Sequence, residues 1–129
     1  MTKTFSLSKQ ERLKSKKDID TLFQTGEAFF IFPFKVIYRF VEALPEDVAL
    51  QVMVSIPKRL HKRANKRNRL RRITKECYRL NKTALQESLN KNSLHLMLIY
   101  TTTEIMTYQN ILPSVQKILA KLLGVSRKA

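Results

Sequence analysis

Leu70, Ile73, Cys77, Leu80 and Ala84 follow one another at spacings of three, four, three and four, the stripe of a helix that packs along one face. Twelve of the chain's twenty-five Lys and Arg residues fall between Lys58 and Lys82, with Glu76 as the sole opposing acid there. Any fold for this chain must bury one side of that helix and keep a segment of net charge +11 in water. The remaining residues carry only +4 of the total of +15, so the charge is focused, and a focus of this kind attracts a polyanion.

With the stripe buried, Asn68, Arg72, Lys75 and Arg79 form a ridge on a neighbouring face, and Arg67 and Arg71 sit one turn apart beside it. A merely solvated charged face would interleave acids, because like charges three or four residues apart repel. Here Glu76 stands alone until Glu87. Arg outnumbers Lys in the heart of the cluster, and its planar fork suits phosphate oxygens. Leu80→Ala is expected to cost about 2 to 5 kcal/mol if the stripe is buried.

A length of 129 residues is that of one domain, read as a flexible basic arm over 1–12, a folded core over 13–124 and a tail over 125–129. Cys77 is the single cysteine, which excludes disulfide and zinc frameworks, and its place on the apolar stripe makes it a structural thiol. Glycine occurs only at positions 26 and 124, too sparsely for a phosphate-cradling loop of the Walker or dinucleotide type. No apolar run is long enough for a membrane span, and Met1 is followed by Thr-Lys-Thr rather than by a signal core. A cytoplasmic protein with no membrane partner is expected.

The pattern predicts a helix from about Ser15 to Thr25, with Ile19, Leu22 and Phe23 on one face, Asp18 and Asp20 in its early turns and Gly26 as a left-handed stop. A short edge strand ends near Pro33. Phe34, Val36, Tyr38 and Phe40 alternate along a strand, as do Val48, Leu50, Val52, Val54 and Ile56 after the turn Leu44-Pro45-Glu46-Asp47, and the two are expected to pair as an antiparallel hairpin. The basic helix then runs to about Leu89. Leu94, Leu96, Leu98 and Tyr100 mark a further strand, with His95 out of apolar phase and so at the surface, while His61, among bases, is in reach of phosphate. A last helix spans about Thr107 to Leu123, delayed or kinked by Pro113 and stopped by Gly124. The class is α+β, with one sheet face under helices and the other open to a partner.

Arg67-Asn68-Arg69-Leu70-Arg71-Arg72-Ile73-Thr74-Lys75 resembles the signature of the protein subunit of bacterial ribonuclease P, with Thr74 in a slot that is usually apolar. Val54-Ser55-Ile56-Pro57-Lys58-Arg59 is similar to that family's strand end and basic lead-in, and Ala64 to a small residue before the core. Arg12 to Gly26 resembles the family's opening arm and helix. Ile19 replaces an aromatic residue common there, and Lys62 and Arg63 replace glycine and asparagine.

The resemblance implies a ribosomal protein S5 domain 2-like α/β sandwich of order α-β-β(-β)-α-β-α. It also implies a left-handed βαβ crossover, against the general right-handed rule. The implied function is that of a subunit of the endoribonuclease ribonuclease P. The protein, inert alone, binds ribonuclease P RNA and the 5′ leader of precursor tRNA, and the RNA subunit cuts. Mg2+ would be held mainly by that RNA and the substrate, with none bound tightly by the protein. By the same carry-over Arg67, Asn68, Arg69, Arg71, Arg72, Lys75 and Arg79 contact RNA, with Lys58, Arg59, Lys62 and Arg63 of the lead-in counted among them. A cleft of Ile19, Phe23 and Tyr38 holds the single-stranded leader, although from the residues alone Phe23 and Tyr38 are more often core than cleft.

Asp18 with Asp20, and Glu46 with Asp47, have structural reasons for their places at a helix start and in a turn, and no carboxylate cluster or triad stands out. The rival reading is a ribosomal or ribosome-assembly RNA-binding protein. DNA is not expected as a partner, since neither a tri-helical recognition pattern nor a dimer seam is present.

Overall fold

The computed structural model describes residues 11–42, 49–89 and 92–128. Residues 1–10 of the arm expected over 1–12, the turn at 44–47 and Val48 lie outside them. Chain order is α1 (Lys16–Thr25), β1 (Glu27–Ile31), β2 (Phe34–Glu42), β3 (Leu50–Ser55), α2 (Ala64–Asn81), α3 (Thr83–Ser88), β4 (Asn92–Tyr100) and α4 (Tyr108–Lys128). It matches the order implied by the resemblance, with the third strand present and the long helix in two pieces.

The four strands form one mixed sheet in the order β1-β2-β4-β3. β2 and β3 are therefore not a hairpin. β4 lies between them, antiparallel to β2 from Phe34↔Tyr100 to Glu42↔Asn92 and parallel to β3 from Leu50↔Leu94 to Ser55↔Ile99. The physical reason lies in β4 itself. Leu94, Leu96, Met97, Leu98 and Tyr100 are all buried, and only a central strand covered on both faces can take so continuous an apolar run. The hairpin is instead β1–β2, joined through Phe32 and Pro33.

One sheet face carries Phe34, Val36, Tyr38, Leu50, Val52, Val54, Leu96, Leu98 and Tyr100 into the main core, where Leu70, Cys77 and Tyr78 of α2 and Ile111, Val115, Ile118 and Leu122 of α4 cover them. The opposite face carries Ile37 and Met97 against Leu13 and Leu22, with Ile19 beside them. This second face, expected to be open, is thus partly roofed by α1.

α1 begins at Ser15, whose Oγ accepts the Asp18 N–H at 3.3 Å. Gly26 follows the helix, but its φ of −74° and ψ of 159° are extended rather than left-handed. Glycine is needed there for space, since a Cβ would stand 2.5 Å from the Leu22 carbonyl oxygen and 2.9 Å from the Ile37 side chain.

The buried stripe of α2 is Leu70, Thr74, Cys77 and Tyr78, rotated from the expected one. Leu80 is 39% exposed, Ala84 is exposed and Ile73 is half-buried. Thr74 can take a core position because its hydroxyl donates to the Leu70 carbonyl at 2.8 Å. Leu70→Ala is accordingly expected to cost about 2 to 5 kcal/mol. Leu80→Ala should stay below about 1 kcal/mol, and paired thermal melts would expose a wrong assignment of the two faces.

The helix ends at Asn81, whose side-chain amide donates to the Cys77 carbonyl at 2.8 Å, and Lys82 links it to α3. α4 starts at Tyr108, within a residue of the expected Thr107, and holds Pro113 inside without the delay that proline offered. It also passes through Gly124 to Lys128, where a tail was expected. Val125 packs on the core, and the Ser126 and Ser88 hydroxyls lie 2.9 Å apart, so this last turn has partners and Gly124 does not stop it.

Candidate nucleic-acid interface

With Leu70, Cys77 and Tyr78 of α2 turned inward, the helix must show its basic positions outward. Asn68, Arg71, Arg72, Lys75, Glu76 and Arg79 line one open recess of about 320 Å³. The expected ridge is therefore assembled. Arg71 Nη1 donates to Asn68 Oδ1 at 3.0 Å, which aims a guanidinium along the recess. Glu76 is clasped by Arg79 through Nε at 3.2 Å and through Nη2, and the hydrogen bonds from Arg79 hold its carboxyl below the usual carboxylate range. Burial pulls the Lys75 ammonium below the ordinary lysine value, and Arg12 and Arg71 push it further down. Arg12 thus adds to this field although it was absent from the expected site. The one available signal was its place in a basic stretch with Lys14.

Arg69 and Arg72 are exposed, as are Lys58, Arg59, Lys62 and Arg63 of the lead-in. Arg67 is different. Its Nη1 donates to the carbonyls of His61 and Lys62, each at 2.9 Å, so part of its guanidinium fastens the basic loop to the first turns of α2. His61 holds the same loop from the other side. It is 5% exposed, its Nε2 lies 2.8 Å from the Thr102 carbonyl and its ring is 5.5 Å from Tyr100. The expectation that His61 reaches phosphate is corrected by these contacts.

The expected leader cleft is not assembled as a trio. Tyr38 faces the main core, with Phe29 at 5.9 Å and Phe40 at 6.1 Å between ring centroids. Ile19 packs on the opposite sheet face, where α1 also carries Phe23, 55% exposed. The alternation of β2 explains the separation. Its odd-numbered set, Lys35, Ile37 and Arg39, shares the sheet face of Ile19, whereas the even-numbered aromatic residues go under α2 and α4.

His95 is buried on the α1 side and not at the surface, and its Nε2 finds no hydrogen-bond partner among the described residues. Burial lowers its pKa, Asp18 opposes this and Arg39 adds to it. Cys77 is free and buried, and burial pushes its thiol up to about 11. It is a core residue with little thiolate at neutral pH. Among the described residues no group of three or more His, Cys, Asp and Glu side chains is placed to hold a metal ion.

The family model for ribonuclease P matches residues 7–123. Two "Ribonuclease P protein component" sequences from strains of Porphyromonas gingivalis are 33% and 36% identical to this chain, each over 94% of it and 89% of the relative. Among solved structures, the RNase P protein of Thermotoga maritima aligns with a TM-score of 0.67 at 20% identity, over 86% of this chain and 96% of that one. A Staphylococcus aureus RNase P protein gives 0.63 at 19%, over 91% and 95%. The structures show a shared fold, and the family match over most of the sequence carries the assignment: the chain belongs to the ribonuclease P protein family.

Proposed function

We propose that this member of the ribonuclease P protein family uses the outer face of α2 and the basic loop before it to bind the catalytic RNA and precursor tRNA, assisting endonucleolytic removal of the 5′ leader. The single observation that carries the reading is the recess of Asn68, Arg71, Arg72, Lys75 and Arg79 on a helix whose other side is locked into the core. Its guanidinium groups offer paired N–H donors to phosphate oxygens. Lys58, Arg59, Lys62 and Arg63 extend that surface along the loop held by Arg67 and His61. The leader would follow the α1 side of the sheet, past Phe23, Ile19 and Lys35, and Tyr38 has no part in it.

Magnesium, held by the RNA and the substrate phosphates, would supply activation of the attacking water and stabilisation of the leaving oxygen. The protein's share is charge and position. In support, Glu76, the acid in the recess, is already engaged by Arg79. Its neutralising bases let two polyanions approach each other, which should lower the magnesium concentration the reaction needs. A cytoplasmic site of action is part of the proposal, and no helix among the described residues is long and apolar enough to cross a membrane.

Reconstitution tests this directly. Purified protein is combined with a bacterial ribonuclease P RNA and given precursor tRNA at a magnesium level too low for efficient cleavage by the RNA alone. Cleavage at the mature 5′ end is expected only when both are present. Binding without stimulation would move the reading to a ribosomal or ribosome-assembly protein. Specific cleavage by nuclease-free protein alone would overturn the assignment of chemistry to the RNA.

A further inference from the structure

The β1–β2 hairpin carries two phenylalanines that the core does not take. Phe30 is 57% exposed and Phe32 is 50% exposed, with ring centroids 6.4 Å apart at an interplanar angle of 60°. The turn presenting them is fastened from two sides. Ser114 Oγ of α4 donates to the Phe32 carbonyl at 2.7 Å, and Thr101 donates to the Pro33 carbonyl through both its N–H and its hydroxyl, each at 2.8 Å. Two rings on a pinned backbone lose little freedom when something settles on them.

Their place argues for a ligand. β1 is an edge strand, where a charge at the outward position would discourage unwanted pairing, yet Phe30 stands there. In the sheet register Phe30 faces Lys35, Lys35 faces Ile99 and Ile99 faces Ser55. One row on the α1 side thus runs from an exposed ring past an exposed ammonium towards β3, and the exposed Lys58 and Arg59 follow just beyond that strand. The span from β1 to β3 is about 14 Å, three strand spacings. On the other side of β1, the Lys121 ammonium sits 4.7 Å from the centre of the Phe29 ring.

We propose that Phe30 and Phe32 form a stacking platform for an unpaired base of single-stranded RNA, whose phosphates continue past Lys35 to the basic loop at Lys58 and Arg59. Exposed aromatic faces beside cations fit a ligand with π-faces and negative charge. A duplex hides its base faces. A second copy of this chain brings a further +15 of like charge and is repelled. The inference deepens the RNA-binding reading above and rests on it. It adds two residues at the sheet edge that lie outside the recess on α2.

The test uses the full chain, a fluorescein-labelled single-stranded oligouridylate and a labelled hairpin duplex. Three proteins are compared: the unaltered chain, Phe30→Ala/Phe32→Ala, and Phe30→Tyr/Phe32→Tyr, with thermal melts confirming that each is folded. Stacking strengths in other systems set the expectation that the alanine pair binds the single strand about five- to a hundredfold more weakly. Its duplex binding and salt dependence should be unchanged, because the lost contact is not ionic, and the tyrosine pair should retain affinity. Equal single-strand affinity of the alanine pair would overturn the platform. So would self-association of the unaltered chain in sedimentation that the alanine pair abolishes, since the rings would then be a contact between copies. If the unaltered chain binds neither RNA, the broader RNA-binding reading falls with it, whereas loss of the platform alone leaves that reading standing.

Discussion

Raising monovalent salt from about 50 to about 200 mM is expected to weaken the complex with ribonuclease P RNA by about a thousandfold or more. The magnitude follows from the number of bases that can meet phosphate at once. Arg69, Arg71, Arg72 and Lys75 on α2, with Lys58, Arg59, Lys62 and Arg63 before it, exceed the six contacts that such a loss requires. Arg79 should count for less, because Glu76 already offsets part of its charge. Replacing Arg69, Arg71, Arg72 and Lys75 together by alanine should reduce the slope of log affinity against log salt by about three. The fold should survive, since none of the four is buried. Arg67→Ala should behave differently. It frees the His61 and Lys62 carbonyls, so its cost in affinity comes through a loosened loop as well as through its own charge. Filter-binding titrations across a salt series measure all of this, and a flat response of the unaltered protein would remove phosphate contact as the basis of binding.

Glu11→Ala is expected to destabilise the fold by about 3 to 5 kcal/mol, because it removes the carboxylate that pairs with a buried ammonium. Lys82, at the junction of α2 and α3, has a side chain that is 1% exposed, and its Nζ lies 2.5 Å from Glu11 Oε2, which also accepts from Gln86 Nε2 at 3.1 Å. For a chain of this size the melting temperature should fall by roughly ten degrees or more. The double change Glu11→Leu/Lys82→Met removes both charges and should recover most of that loss, since pairs replaced together by apolar groups are often neutral in stability. Melts that barely move for Glu11→Ala would mean that Lys82 is compensated by other groups. The same pair shows that the polar stretch expected to be a free arm is anchored from Glu11 onward, with Arg12 bridging Val52 and the Leu13 N–H donating to the Val52 carbonyl at 2.9 Å.

That anchor illustrates which parts of the fold were legible in the residues. The first helix, the alternating strands, the basic helix and the final amphipathic helix all follow local periodicity, and the structure has each of them. Pairing was not legible in the same way. β2 and β3 alternate cleanly and are close in sequence, so a hairpin is the economical reading, yet β4 lies between them. The clue was present in Leu94, Leu96, Met97, Leu98 and Ile99, a run too evenly apolar for a strand with one wet face. The buried stripe is rotated from the apolar one because Thr74 bonds back to Leu70 and Tyr78 fills the core, in places that the apolar spacing assigns to Ile73 and Leu80. Lys82 could not be read as buried, since its partner is seventy-one residues away.

Of the interface, the ridge on α2 was legible because its spacing is a property of one helix, and the structure brings those side chains into one recess. Tyr38 was not, because a strand's alternation does not say which set faces the helices. The structural parts played by Arg67 and His61 depend on a loop closing onto carbonyls that no sequence pattern announces.

The order of the strands has a consequence for how the protein is made. β4 is the seventh of eight elements in the chain, yet it is the partner of both β2 and β3. While the ribosome is still synthesising the chain up to α3, β2 and β3 have no common neighbour, and α2 has no finished sheet on which to lay Leu70, Cys77 and Tyr78. A nascent chain halted before Asn92 would carry the full basic segment with its apolar side uncovered, a sticky polycation rather than a selective binder. The proposed interface therefore takes shape late in translation, when the central strand slots in and the basic helix first acquires an inside and an outside.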